Sequence, residues 1–532
     1  MLAAAVDTSK NSAPRSIPCF DPATGESLGE VPIDDPASVR AAVARAREAQ
    51  RAWRESSFAA RRRVLARMQA HLLDHADELV DHVVRDSGKT RENAMLGEIW
   101  PVAEKLRWTM KKGEKHLRPE RVSSGLFPHK RAQIEFHPLG VVGVIAPWNY
   151  PLQNILGPAI PALFAGNGVV VKVSEAVAWS ASRFVRIFHE ALAAEGFSPD
   201  LVQIVQGYGD TGAALVSGGV DLVIFTGSIA NGRKVIVESA KNVVPVIMEL
   251  GGKDPMIICD DADLDEAVHN AMGGVFIAAG QNCLSSERII VMDGIYDAFV
   301  ERVGAMARAL RQGPPRRGIV DVGAIVSPMQ LKVIEGLVDD ALAKGARAIA
   351  GGGRALPDQG QYFAPTVLVD VTPEMRIMTE ETFGPVMVIA RVKTDDEAVA
   401  LANATEYGLN ASVFSKSTSR AKRIADRLEA GGSCINGFGI TYMAQDLPFG
   451  GIKGSGFGRL NGKEGLRGCT TQKAVLTDRL PVHAPPKMFP VEPGDYERTR
   501  RVIELIYRPG VFARLRHLGA LLRGLSSKGE RG

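Results

Sequence analysis

Cysteine is scarce and scattered in this chain: five residues, at 19, 259, 283, 434 and 469, with no CxxC pair in 532 residues. An odd number at such wide spacing argues against a disulfide framework and points to a reducing compartment. Long apolar runs are missing too. The opening "MLAAAVDTSK" is too short for a secretory signal and is interrupted by Asp7, while the best candidate span, "ILGPAIPALFAGNGVVV", is broken by Pro158, Pro161 and Asn167. A cytoplasmic protein is expected. Charge of one sign is also lacking, since the net charge is only +4, and neither zinc-ligand spacing nor an RNA-binding aromatic signature occurs. No metal and no nucleic-acid partner are expected.

What the chain does have is 45% hydrophobic and 23% charged residues, a globular composition at a length that fills two or more cored domains. From about residue 36 to 118, apolar residues recur at three- and four-residue spacings, as in "ARRRVLARMQAHLLDHADELVDHVVRDSG", which predicts helices. The period then switches. "RAQIEFHP" alternates like a half-buried strand, and "PLGVVGVIAPWNYP" reads as a buried strand running into a proline-flanked turn. Beyond it "GVVVKVSE", "SASRFVRIFHEALAAEG", "LVQIVQG" and "VDLVIFTGS" alternate strand and helix, the order of right-handed crossovers and a mostly parallel sheet. After Gly252 the alternation resumes as a second α/β domain, behind a soft boundary near "ELGGKDP".

Several stretches gather residue types with chemistry. "GQNCLSSERI" carries Cys283 behind small residues, either as a packed core thiol or as a nucleophile. "VPVIMELGGKDP" sets Glu249 at the end of an apolar run, where desolvation raises a carboxyl toward the range of a general base; a paired structural glutamate is the alternative. Asn149 in "PWNYP" follows an apolar strand and can cap a turn. "VIFTGSIANGRKV" is strand, turn and helix with Gly227, Ser228 and Gly232; it departs from GxGxxG, so a phosphate cradle and an ordinary glycine turn both stay open. Lys172 and Glu175 in "VVVKVSE" suit ribose hydroxyls at a strand's carboxyl end, or form a solvated pair.

In order and spacing, "PWNYP", "VVVKVSE", "FTGS", "MELGGKDP", "GQNC", "EETFGPV" and "PFGGIKGSGFGR" resemble the aldehyde dehydrogenase superfamily from about Phe20 to Val475. The resemblance implies an α/β fold with a Rossmann-type dinucleotide-binding domain (1–119 and 140–251) and an α/β catalytic domain (252–449). A small β oligomerisation element (120–139 and 466–482) and a C-terminal strap and tail (483–532) complete it. It implies oxidation of an aldehyde to the acid with NAD, NADP being left open, in a homodimer or homotetramer. By the same resemblance Cys283 is the nucleophile, Asn149 the oxyanion donor and Glu249 the base that hydrolyses a thioester. Lys172 and Glu175 then hold the adenine ribose, Gly227, Ser228 and Gly232 border the pyrophosphate, and Trp148, Glu381 and Phe383 flank the nicotinamide side. Glu249 disfavours the alternative of acyl transfer to coenzyme A. The presence of Cys283, Glu249 and Asn149 together argues against a catalytically silent homologue.

Three features depart from or extend that pattern. Many members carry a glutamate that assists proton relay where this chain has Leu460, in "GRLNGKEGLR". "INGFGITYMAQDL", with Gly437 and Gly439, implies a roomy funnel without a charged anchor. The tail "YRPGVFARLRHLGALLRGLSSKGERG" puts Val511, Leu515, Leu518, Leu522 and Leu525 on one helical stripe among Arg508, Arg514, Arg516, Arg523 and Lys528. Such a basic amphipathic helix either meets an anionic membrane surface, with which a preference for medium to long apolar aldehydes is expected, or packs on the protein or a partner subunit.

Overall fold

The computed structural model describes residues 16–356, 358–480, 488–510 and Leu518. They fall into two units, one running to Glu120 and from Ile134 to Ala474, the other comprising residues 121–133 and 475 onward. In the first unit the β-branched runs at 141–145, 168–172 and 222–226 become buried central strands. The six-stranded sheet has the order Gly456–Phe457, Val246–Glu249, Leu222–Thr226, Val141–Ile145, Gly168–Lys172, Val202–Val205. Every pair is parallel except the edge strand Gly456–Phe457.

Alternate residues feed two cores, as the two-residue period of a strand requires. Val142, Val144, Val169 and Val171 pack with Phe164 and Phe184, whereas Val141, Val170 and Val223 pack with Val39 and Val43 of helix Pro36–Arg54. From Val141–Ile145 the chain moves outward to Val202–Val205, then returns to lay Leu222–Thr226 on the other side of its starting strand. That reversal opens a crevice at the carboxyl ends of the two strands, where ligands bind in open α/β sheets.

A seven-stranded sheet follows, ordered Arg347–Ala350, Thr366–Val369, Val386–Val392, Arg288–Met292, Pro255–Ile258, Asn410–Phe414, Gly432–Ile435, with only the first pair antiparallel. The expected helices precede both sheets, at Pro36–Arg54, Phe58–Asp74, Ala76–Ser87 and Trp100–Leu117. One detail differs from simple helical periodicity: Met95–Ile99 is a π-helical turn. Gly97 in that turn lies so close to the Tyr150 ring that a Cβ would sit 2.4 Å from it, and such turns recur beside functional sites.

In the second unit Lys130 pairs with Asp478, and the Arg479 N–H donates to the His129 carbonyl at 2.8 Å. Helix Asp495–Tyr507, inside the segment read as strap and tail, exposes Val502, Ile503, Ile506 and Tyr507. Of the leucine stripe only Leu518 is described; Val511, Leu515, Leu522 and Leu525, with Arg514, Arg516, Arg523 and Lys528, lie outside the described residues. No helix among the described residues is long and apolar enough to cross a membrane.

Candidate active site

Lys172, Thr226 and Glu249 are each the last residue of a parallel strand, and the turn after Ile145 brings Trp148 and Asn149 to the same edge. Opposite them stands the 277–283 turn. Ala278 and Ala279 there hold φ of 52° and 56°, a left-handed conformation costing alanine about 1–3 kcal/mol each. Gly280 must be glycine, because a Cβ would lie 2.0 Å from the Gly384 carbonyl oxygen. The buried Gln281 side chain offsets the strain: its Nε2 donates to the Ala278 and Ala324 carbonyls, both at 3.1 Å, and its Oε1 accepts from the Val326 N–H at 2.9 Å.

The turn delivers Cys283 to the wall between two cavities. One, of about 470 Å³, is walled mainly by apolar side chains, among them Leu96, Trp100, Ile277, Phe438, Ile440 and Phe449. The other, of about 350 Å³, is walled by Trp148, Lys172, Glu175, Gly227, Ser228, Glu381 and Phe383. Asn149, Thr226, Glu249 and Cys283 line both. Cys283 is therefore packed and accessible at once: it borders the apolar cluster of Leu284, Leu409 and Phe449, yet is only half-buried. Cys19, Cys259 and Cys469 are buried.

Burial pushes the Glu249 carboxyl up to about 7, while hydrogen bonds from the Gly251 N–H and the Cys283 thiol partly counter it. Burial also raises the Cys283 thiol above its ordinary range, as do the nearby carboxylates of Glu249, Asp254 and Glu381. The resting thiol is protonated, and its nearest strong base is Glu249. The Asn149 amide donates one N–H to the Gln281 carbonyl at 3.2 Å and accepts from Asn154 at 3.0 Å. An amide nitrogen carries two hydrogens, so one N–H remains for a ligand.

The second cavity has the parts of a dinucleotide cradle. Lys172 Nζ lies 3.3 Å from Glu175 Oε2 at a strand end. Ser228 caps helix Ile229–Ala240, accepting from the Asn231 N–H at 3.4 Å, and the first turn of such a helix presents amides to an anion. Gly227 is required sterically, since a Cβ would meet the Phe225 ring at 2.7 Å. Gly232 lines neither cavity; it sits one turn into the helix, where a Cβ would lie 2.4 Å from Leu250 Cδ2. Its smallness serves helix packing. At the cavity's other end Trp148 and Phe383 meet edge to face at 5.2 Å. Glu381 Oε1 accepts from the Gly252 N–H at 2.9 Å, and burial, with Glu287 nearby, raises its carboxyl well above the ordinary range.

Two buried ion pairs, unread in the sequence, fix these loops. Lys253 Nζ reaches Glu287 Oε2 at 2.5 Å and Thr382 Oγ1 at 3.0 Å, and Glu287 accepts the N–H groups of Thr382 and Phe383, both at 2.7 Å. Lys89 Nζ lies 2.7 Å from Glu98 Oε1, while Glu98 Oε2 accepts from Leu152 and Gln153 N–H at 3.1 and 2.8 Å. Lys253 and Glu287 lie within "MELGGKDP" and "GQNCLSSERI", so their proximity to the motifs was visible. Nothing local marks Lys89 and Glu98.

A half-buried cysteine between an apolar cavity and a polar one, at the carboxyl ends of parallel strands on paired α/β sheets, is the arrangement the family assignment explains. The family model of the aldehyde dehydrogenase family matches residues 8–475, and the chain belongs to that family of NAD(P)-dependent enzymes. It is 41% identical over 470 residues to the aldehyde dehydrogenase-like protein C21C3 of Schizosaccharomyces pombe, covering 87% of this chain and 90% of that one. It is 37% identical over 494 residues to the 4,4'-diapolycopene aldehyde oxidase of Methylomonas sp, covering 92% and 91%. The solved succinate-semialdehyde dehydrogenase of Burkholderia pseudomallei superposes with a TM-score of 0.83 at 34% identity, over 87% of this chain and 94% of that one.

Proposed function

We propose that this aldehyde dehydrogenase oxidises an uncharged apolar aldehyde of medium or long chain to its carboxylic acid, with Cys283 as nucleophile, Glu249 as base and Asn149 as oxyanion donor. The observation that carries the reading is the place of Cys283, on the wall shared by an apolar cavity and a polar one. Glu249 takes the thiol proton as sulfur bonds to the carbonyl carbon, and the alkoxide formed is held by the free Asn149 N–H and the Cys283 backbone. A nicotinamide dinucleotide bound in the polar cavity supplies the hydride acceptor for that carbon. The thioester left on Cys283 is attacked by water as Glu249 removes its proton; the C–S bond breaks and the acid departs.

Lys172 and Glu175 hold the adenine ribose, Gly227 and Ser228 the pyrophosphate, and Glu381, Phe383 and Trp148 the nicotinamide end. Three strand spacings of about 4.8 Å separate Lys172 from Glu249, roughly 14 Å in all, so an extended ligand fits along the sheet edge. Glu175 favours NAD, because its carboxylate accepts a ribose hydroxyl and repels a 2′-phosphate.

The substrate class follows from the wall. Succinate semialdehyde, for which the Burkholderia relative is named, ends in a carboxylate that needs a cation. The cationic side chain lining this cavity is Lys105, and its amine is engaged by Asn461 and the Leu460 carbonyl. At the mouth Leu96, Trp100 and Ile440 are 46%, 57% and 57% exposed, an apolar lip for a tail longer than the cavity. The residues 120–139 and 466–482 form the oligomerisation element of a dimer or tetramer, and the basic C-terminal segment meets an anionic membrane surface. A panel of straight-chain aldehydes and their ω-carboxylates, with both cofactors, tests the reading. Each added methylene raises kcat/KM by up to roughly fourfold, from about 0.8 kcal/mol of burial, until the cavity is full. Preference for the ω-carboxylates overturns it.

A further inference from the structure

The reaction proposed above sets Glu249 a problem of protons. The carboxylate takes one proton from the Cys283 thiol and a second from the attacking water, so it must be emptied between the two steps. It is buried, and no carboxylate relay is available at Leu460. The titratable groups lining the substrate cavity are Lys105, Tyr150, Glu249, Cys283 and Tyr442. Burial raises both phenols and the thiol well out of the neutral range. Only Glu249, at about 7, and Lys105, lowered by burial to about 8, change protonation near neutrality.

Lys105 also occupies an unusual place. It is buried, and among the described residues its partners are Asn461, the Leu460 carbonyl and the nearby Cys469, none of them a carboxylate. Its Nζ donates to Asn461 Oδ1 at 2.5 Å and to the Leu460 carbonyl at 3.3 Å. Those two acceptors satisfy both hydrogens of a neutral amine and leave its lone pair to accept a third proton. Lys105 and Leu460 are the two residues that line both the substrate cavity and a small one of about 10 Å³, roughly room for one water. Trp108 and Gln445 in turn line both that small cavity and a surface cleft of about 230 Å³ bordered by Glu104, Arg107, Lys112 and Asp446.

We propose that Lys105 is the proton-relay residue of this enzyme, carrying protons from Glu249 through water to the small cavity behind it and so to the surface cleft. With the amine lowered to about 8 the ammonium predominates at neutral pH; it first gives a proton to water on the far side, and the neutral amine so formed accepts the proton that Glu249 releases to cavity water; no bond to substrate forms. The other charged groups nearby do not compete. Cys469, facing Lys105 from the end of helix Gly462–Gly468, is itself pushed up to about 12 by burial. Asp446 is held by Lys112 and Trp108, and Glu104 by Arg107 on the same helix as Lys105.

The test rests on the same reaction but separates its failure from that of the reading above. Full-length wild type, Lys105→Met and Lys105→Arg are compared by stopped-flow NADH formation with a good aldehyde substrate, then across pH 6 to 9 in steady state. The expected result is a first turnover at the wild-type rate in both variants, and later turnovers slower by about a hundredfold, the lower end for a lost proton-transfer group. Small primary amines in the buffer restore the Met variant. Arginine keeps the buried cation, so it tests the relay even where a methionine variant fails to fold; it cannot give up its proton near neutrality, so a structural role predicts rescue by arginine and a relay predicts none. Wild-type kcat and pH profile in Lys105→Arg overturn the relay. A wild-type enzyme that oxidises no aldehyde overturns the function reading instead.

Discussion

Lys89 Nζ donates to the backbone carbonyl of Asn149 at 2.6 Å while paired with Glu98, beneath the turn that carries the Asn149 amide. The ammonium also lies 3.9 Å from the Tyr150 ring centroid. A charge buried this completely holds the turn only while both partners are present.

Removing one partner leaves the other stranded. Lys89→Met or Glu98→Ala is expected to destabilise the fold by about 3–5 kcal/mol and, in whatever fraction folds, to lower kcat by tenfold or more as the oxyanion donor shifts. Chemical denaturation read beside single-turnover rates checks both. A stable variant with wild-type kcat refutes the positioning role.

The burial of Glu249 sets the pH dependence. Its carboxyl is raised to about 7, so the base form is present above that pH and lost below it. Thioester hydrolysis therefore falls about tenfold per pH unit below the pKa, while the acid limb vanishes in Glu249→Gln. That variant forms at most one NADH per site and then stalls; in Cys283→Ala even this burst is absent although cofactor still binds. Linear turnover by either variant at the wild-type rate removes it from the mechanism.

How far the sequence reached follows from the range of the interactions involved. Strands such as 141–145 and 168–172 were legible because a buried parallel strand is a continuous β-branched run. Glu249 and Cys283 stood out because one ends an apolar strand and the other closes "GQNC", and both line the two cavities. The left-handed alanines at 278 and 279 were not: nothing in "FIAAGQNC" marks them, and Gln281 holds them through Ala324 and Val326, over forty positions away. Lys105 was hidden likewise, because its partner Asn461 lies 356 positions on. Gly232 read as a phosphate glycine, but Leu250 is what its missing Cβ makes room for.

Cofactor choice is expected to turn on Glu175, whose side chain is 43% exposed and lies 3.3 Å from Lys172. Like charges about 4 Å apart cost roughly 1 kcal/mol or more with water-like screening, so NAD is expected over NADP by about fivefold or better in kcat/KM. Glu175→Gln narrows the gap by relieving repulsion, while Lys172 remains to bind the phosphate. Equal use of both cofactors by wild type contradicts the assignment.

The C-terminal segment offers the last test. Helix Asp495–Tyr507 presents Val502, Ile503, Ile506 and Tyr507 to solvent beside Arg501 and Arg508, and the sequence beyond it adds Arg514, Arg516, Arg523, Lys528 and Arg531 against the single acid Glu530. Apolar burial at the headgroup level and attraction to anionic lipid act together on such a segment, the second contributing about 1 kcal/mol per basic residue near the surface. Full-length protein is expected to float with phosphatidylserine-containing vesicles at low salt, to detach as salt rises, and to stay with the vesicles less when truncated after Asp495. Neutral vesicles serve as the control. Equal flotation of both forms, or none by either, excludes the membrane role, and the apolar cavity must then find its aldehydes in solution.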